Sequence, residues 1–136
     1  RGNSRVYIYD KYECQVLDSF ALDFDEANNP FKTQSRNKQW CGSFYKFKTP
    51  DVPMIFPPLR WQTYDIDFTA PVFKDGKKVK NARITVRHNG VLIHNDVELP
   101  KGTGAGGSRP EKEKGTINFQ GHGNPVAFRN IWMLPK

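Results

Sequence analysis

Short runs in which apolar and polar side chains alternate, each bounded by Gly, Pro, Asn or Asp, are the dominant pattern of this chain. They fall at residues 5–9, 12–20, 41–47, 62–69, 83–88, 91–95, 116–120 and 127–134. A period of two over four to eight residues places alternate side chains on opposite faces of a strand, and no segment sustains the 3.6-residue period of a helix. The ten prolines and eleven glycines lie almost wholly between the runs, where turns belong. Eight strands punctuated this way predict an all-β fold, an antiparallel two-sheet sandwich or jelly roll with little or no helix.

Asn89-Gly90, set between two β-rich runs, is the sharpest local signal. It predicts a two-residue type I′ hairpin, because both central residues of that turn need positive φ. The turn pairs His88 with Val91, Arg87 with Leu92 and Val86 with Ile93. Ile84, Val86, Val91 and Ile93 then form a core face, with Arg83, Thr85, Arg87 and His94 on the other. His88 is expected on the core side near the sheet edge.

Two stretches read as loops. Residues 22–39 are polar and irregular, and they suit a rim over a binding surface. Residues 101–114 (KGTGAGGSRPEKEK) read as a flexible excursion, without the Gly-Lys-Ser/Thr ending of a phosphate cradle.

With 136 residues, 37% hydrophobic and 26% charged, the chain has the size and composition of one globular domain, 1–136. No apolar run approaches the roughly 20 residues of a helical membrane span. The net charge of +7 raises a nucleic-acid partner. The lysines, however, gather in two expected turns, Lys74, Lys77, Lys78 and Lys80 and then Lys101, Lys112 and Lys114, without interleaved aromatics. Solvated loops are the better reading. Cys14 and Cys41 form neither a disulfide scaffold nor a zinc motif, and buried free thiols are favoured over a bridge.

Candidate chemistry is sparse. Glu13 and Gln15 share one strand face, opposite Tyr12, Cys14 and Val16, and lie about 7 Å apart at the strand's rise per residue. They can touch one ligand together. Asp65 and Asp67 share another face, where an exposed structural role outweighs a glycosidase pair. His88, His94 and His122 have no metal-binding spacing. His122, between Gly121 and Gly123, is an accessible imidazole. Nothing implies a particular cofactor, and no metal site is expected.

Taken together, GNSRVYI, YECQVLDSF, CGSFY, PPLRWQTYDIDFTAPVF, ARITVRHNGVLIHNDVEL and GTINFQGHGNPVAFRNIWMLPK resemble the 3-keto-disaccharide hydrolase family of concanavalin-like jelly rolls, in its planctomycete-type style. The resemblance implies a carbohydrate ligand, export to the periplasm or exterior, and cleavage of glycosides already oxidised to a ketone at C3. It gives Glu13 as candidate base and His122 as candidate proton donor. Gln15 and Arg87 become candidate sugar or oxyanion donors, supported by Arg129 and Asn130. The chain departs from the family pattern at Arg5, where a glycine is usual after Asn-Ser, and at Gly121, where an aspartate usually precedes the histidine. A noncatalytic carbohydrate-binding or assembly module of the same fold is the alternative. Family members carry further residues before Gly-Asn-Ser, so the chain is expected to be the C-terminal part of a larger domain. An upstream segment or a neighbouring subunit would then complete the sheet beside residues 5–9.

Overall fold

The computed structural model describes residues 2–21 and 37–135. Among them are eight strands: β1 (Asn3–Ile8), β2 (Tyr12–Leu17), β3 (Tyr64–Thr69), β4 (Val72–Lys74), β5 (Lys77–Lys80), β6 (Ala82–His88), β7 (Val91–Leu99) and β8 (Asn118–Gln120). Short 3-10 turns at Asn37–Gln39 and Gly104–Ser108 are the helical elements of these residues. All pairings are antiparallel. One sheet has the order β2-β1-β8 and a second β3-β6-β7, while β4 and β5 form a separate hairpin.

Strand alternation builds the core between the two three-stranded sheets. Val6 and Ile8 of β1 and Tyr12 and Cys14 of β2 meet Ala82, Ile84, Val86, Ile93 and Leu99 of the second sheet, with Phe44 wedged among them. Tyr12 packs its ring against Phe68 of β3. Each large apolar side chain buried here contributes about 1.5–3 kcal/mol. The same alternation turns Asn3, Arg5, Tyr7, Glu13 and Gln15 to the other face of the first sheet.

The Asn89-Gly90 turn forms as expected, with φ of 51° and 80°, and pairs His88 with Val91 and Arg87 with Leu92. Beyond that point the register shifts. Val86 opposes His94, not Ile93, and Ile84 opposes Val97. Two extra residues in β7, one on each side of His94, bulge the strand, so that Ile93 and His94 are both buried. The expected exposure of His94 is therefore corrected, since its side chain is fully buried. Val91, expected in the core, is 36% exposed at the hairpin's end.

Other expectations change with the backbone. Residues 41–47 contribute only isolated bridges, Cys14 to Phe44 and Phe44 to Lys48. Positive φ at Gly42 (83°) and Lys46 (59°) breaks the extended run into turns while still delivering Phe44 to the core. Residues 127–134 pair with no strand among the described residues, and Ile131, Trp132, Met133 and Leu134 are exposed. The lysines at 74–80 lie in the β4–β5 hairpin, whose Asp75-Gly76 turn has φ of 51° and 73°. That dipeptide is a hairpin signal in its own right, hidden by the surrounding charge.

Residues 101–114 do not form a free excursion. Thr103 N donates to Lys11 O at 2.9 Å, Lys11 Nζ donates to Gly106 O at 3.2 Å, and Tyr12 OH donates to Glu111 Oε1 at 2.6 Å. Within its sheet β1 is the central strand, between β2 and β8. The expectation for a rim at residues 22–39 falls mostly outside the described residues.

Candidate functional site

The outer face of β1, β2 and β8 carries two buried polar side chains, Glu13 and Gln15, with the half-buried Asn3, Arg5 and Gln120 around them. Arg5 stands opposite Gln15 on one side and Gln120 on the other, and Tyr7 stands opposite Glu13. Glu13 is therefore diagonal to Arg5, within reach of a long side chain.

Arg5 is the hub. Its Nε lies 2.5 Å from Glu13 Oε1, a charge contact whose N–H direction does not make a hydrogen bond. Its Nη1 donates to Gln120 Oε1 at 2.6 Å, and its guanidinium sits 5.4 Å from the centre of the Tyr45 ring. Glu13 itself is 1% exposed. Tyr7 OH donates to its Oε2 at 2.9 Å, and the backbone N–H of Ala105 donates to the same oxygen at 3.2 Å. A cation and two donors thus stabilise one buried carboxylate. Burial, then the bond and charge of Glu13, push the Tyr7 hydroxyl up to about 12, so it remains a donor at neutral pH.

Gln15 is 2% exposed. Its Nε2 donates to Asn3 Oδ1 at 3.1 Å, while its Oε1 has no partner. The backbone of Gln15 is held from three directions: its N–H donates to Ser43 O, and its carbonyl accepts from Gly42 N and from Tyr64 OH. A recess of about 90 Å³ opens here, lined by Asn3, Arg5, Gln15, Gln39, Trp40 and Tyr45, with Leu17 beside them. The two aromatic rings supply apolar walls of the kind that pack on the C–H faces of sugars.

The sequence-derived candidates divide. Glu13 and Gln15 come together with Arg5 on this face. His122 lies two residues beyond β8, exposed, and no hydrogen bond or ion pair involves it among the described residues. Arg87 is exposed on the outer face of β6, opposite Asp65, so the whole core separates it from Glu13. Arg129 stacks its guanidinium on Trp61 at 3.7 Å from the ring centre, and Asn130 is exposed with φ of 52°. Asp65 and Asp67 are exposed on the outer face of β3.

Sequence reasoning did not single out Asn3, Tyr7, Trp40 or Tyr45, and it noted Arg5 only as a departure. For Asn3, Arg5 and Tyr7 the signal was present: their parity in β1 matches that of Glu13 and Gln15 in β2. Trp40 and Tyr45 reach the site through turns, where no period announces them. Among the described residues no group of three or more His, Cys, Asp or Glu side chains is arranged to hold a metal ion.

A family model described as a 3-keto-alpha-glucoside-1,2-lyase-like domain matches residues 1–134. The fold is also similar to a solved structure from Parabacteroides distasonis described as a candidate glycosyl hydrolase, with TM-score 0.72 and 35% sequence identity. That similarity covers 92% of this chain and 50% of the other, so the chain spans about half the length of that protein. No curated protein matches the chain.

Proposed function

Because the chain belongs to the 3-keto-alpha-glucoside-1,2-lyase-like domain family, we propose that it is a carbohydrate-active module acting, outside the cytoplasm, on glycosides carrying a ketone at C3. The ketone acidifies the hydrogen on C2. A base removes that proton, and the electron pair passes into an enolate on the C3 oxygen. Return of the pair forms the C1–C2 double bond and breaks the bond from C1 to the glycosidic oxygen, which leaves as an alcohol after taking a proton. Addition of water across the double bond completes a net hydrolysis. The route needs a base and a donor for the enolate oxygen, not two opposed carboxyls.

Glu13 is the proposed base and His122 the proposed proton donor to the leaving oxygen. The observation that carries the reading is the clustering of Glu13, Gln15 and Arg5 on one face beside an aromatic-walled recess. The test is release of aglycone from a 3-keto-glucoside with the unoxidised glucoside as control. Release from the first alone supports the reading, and release from neither overturns it.

A second reading is favoured by the burial of Glu13 and by Gly104 and Ala105 packed over it. Here Glu13 is the counter-ion that aims Arg5, and the module binds sugar without cleaving it. Glycan binding with no turnover of any keto-glycoside is its signature.

A further inference from the structure

We infer that the recess recognises a vicinal hydroxy-ketone, with Arg5 donating to the ketone oxygen and Gln15 Oε1 accepting from the neighbouring hydroxyl. The inference rests on the reading that the ligand is a keto-sugar, and it supplies the carbonyl-facing donor that Arg87, on the far side of the core, does not provide.

Three observations lead there. The first is an unpaired acceptor. Gln15 Oε1 is buried in a residue only 2% exposed, in the lining of the recess, with no hydrogen-bond partner. Leaving such an atom unpaired costs about 1–3 kcal/mol, and a ligand hydroxyl removes that cost. Turning this amide alone would break the bond its Nε2 donates to Asn3 Oδ1.

The second is an unused donor next to it. Arg5 lines the same recess and faces Gln15 across the β1–β2 pair. Gln120 accepts from its Nη1, the charge of Glu13 holds its Nε side without a hydrogen bond, and no protein hydrogen bond uses Nη2 among the described residues. A planar guanidinium held at two points keeps its remaining N–H groups in fixed directions. An acceptor and a cationic donor side by side match a C–OH beside a C=O, where a plain diol offers the donor no carbonyl and no developing enolate charge.

The third is size and character. About 90 Å³ is several times the roughly 10–15 Å³ needed for one water, and it admits the polar edge of one ring. Trp40 and Tyr45 then flank that edge. Because Glu13 already neutralises Arg5, a fully anionic group such as a uronate carboxylate gains less here than a neutral ketone whose oxygen becomes charged only during reaction.

The test is titration of the full chain with methyl 3-keto-glucoside and with methyl glucoside, for wild type, Gln15→Leu, Arg5→Met and the double variant Arg5→Met with Glu13→Gln. The double variant removes the cation without leaving a buried unpaired carboxylate, so it keeps the comparison meaningful if Arg5→Met alone unfolds. Wild type is expected to prefer the keto-sugar by about tenfold or more, the scale of one charge-assisted hydrogen bond. The double variant should lose that preference, and Gln15→Leu should weaken both ligands. Equal preference in wild type and double variant overturns the inference even if keto-glycosides are cleaved. Preference that depends on Arg5, without cleavage, upholds it while the catalytic reading fails. Binding of neither sugar overturns both.

Discussion

Arg5 and Glu13 form an ion pair across adjacent strands, Nε to Oε1 at 2.5 Å, with side chains 14% and 2% exposed. Neither group is free to relax into water. Removing one member strands the other, which costs about 3–5 kcal/mol at buried pairs, while removing both together costs far less. Arg5→Met should therefore lower the urea midpoint strongly, and adding Glu13→Gln should restore part of the loss. Additive losses in the two single variants and the double would show that the pair is not coupled in solution.

Glu13→Gln by itself separates the two readings of that residue. As a general base its loss should lower turnover of a 3-keto-glucoside by about 10²-fold or more. As a counter-ion its loss should change binding through Arg5 while leaving any residual turnover with an unaltered pH profile. Aglycone release measured across pH 5–9 distinguishes these outcomes.

Much of the sandwich is legible from alternation, and the reasons for the misses are local. The β6–β7 hairpin follows from Asn89-Gly90, but a bulge in β7 carries His94 to the inside, and a one-residue shift is invisible to a period-two reading. Residues 41–47 alternate because Cys41 and Phe44 are needed in the core, although Gly42 and Lys46 turn the backbone. At the site, Glu13 and Gln15 were readable because they share a strand face. Arg5 joins them through strand pairing, and Tyr45 through a turn and contacts more than thirty residues away, neither of which a local window contains.

The two buried histidines make stability depend on pH. Burial lowers both His88 and His94 from 6.5 to about 4. Each Nε2–H donates to a fixed acceptor, Gln62 Oε1 at 3.0 Å and Gly42 O at 2.7 Å, and each Nδ1 is unpartnered. Between pH 4 and 6.5 the unfolded chain binds protons that the folded chain refuses. Stability is thus complete above about pH 6.5 and falls as the pH drops toward 4, by on the order of 3 kcal/mol per histidine at about 1.4 kcal/mol per unit. Urea midpoints at pH 7, 5.5 and 4.5 should decline in that order. His94→Phe should flatten the decline, and an unchanged slope in that variant would count against the assignment.

Cys14 and Cys41 should be inert thiols in the folded protein. Both are free and buried, and burial raises both above the ordinary thiol range. Tyr64 OH donates to Gln15 O at 3.0 Å, and its oxygen lies 3.2 Å from Cys41 Sγ, where it can accept the thiol's S–H. A chromogenic disulfide reagent should label neither cysteine in native buffer and both in denaturant. Fast labelling of the native state would mean that the core beneath Gln15 opens readily.

Gly104 and Gly76 offer a comparison that tests the roof over Glu13. Both have positive φ, 54° and 73°, so alanine at either position incurs the same class of backbone strain, about 1–2 kcal/mol. Their surroundings differ. A Cβ at Gly76 meets nothing within 4 Å, whereas one at Gly104 overlaps Glu13 Oε2 and reaches 2.6 Å from Cδ and 3.2 Å from Tyr45 Cδ1. Gly76→Ala should therefore cost only the strain and leave sugar binding alone. Gly104→Ala must displace either the carboxylate or the 3-10 turn at Gly104–Ser108, and both routes break the Ala105 N–H bond to Glu13. Its unfolding midpoint should fall well below that of Gly76→Ala, and its affinity for a keto-sugar should fall with it, because Arg5 is aimed by the carboxylate that moves. Equal midpoints and equal affinities in the two variants would show that the turn does not press on Glu13, and the site would then be more open than its packing indicates.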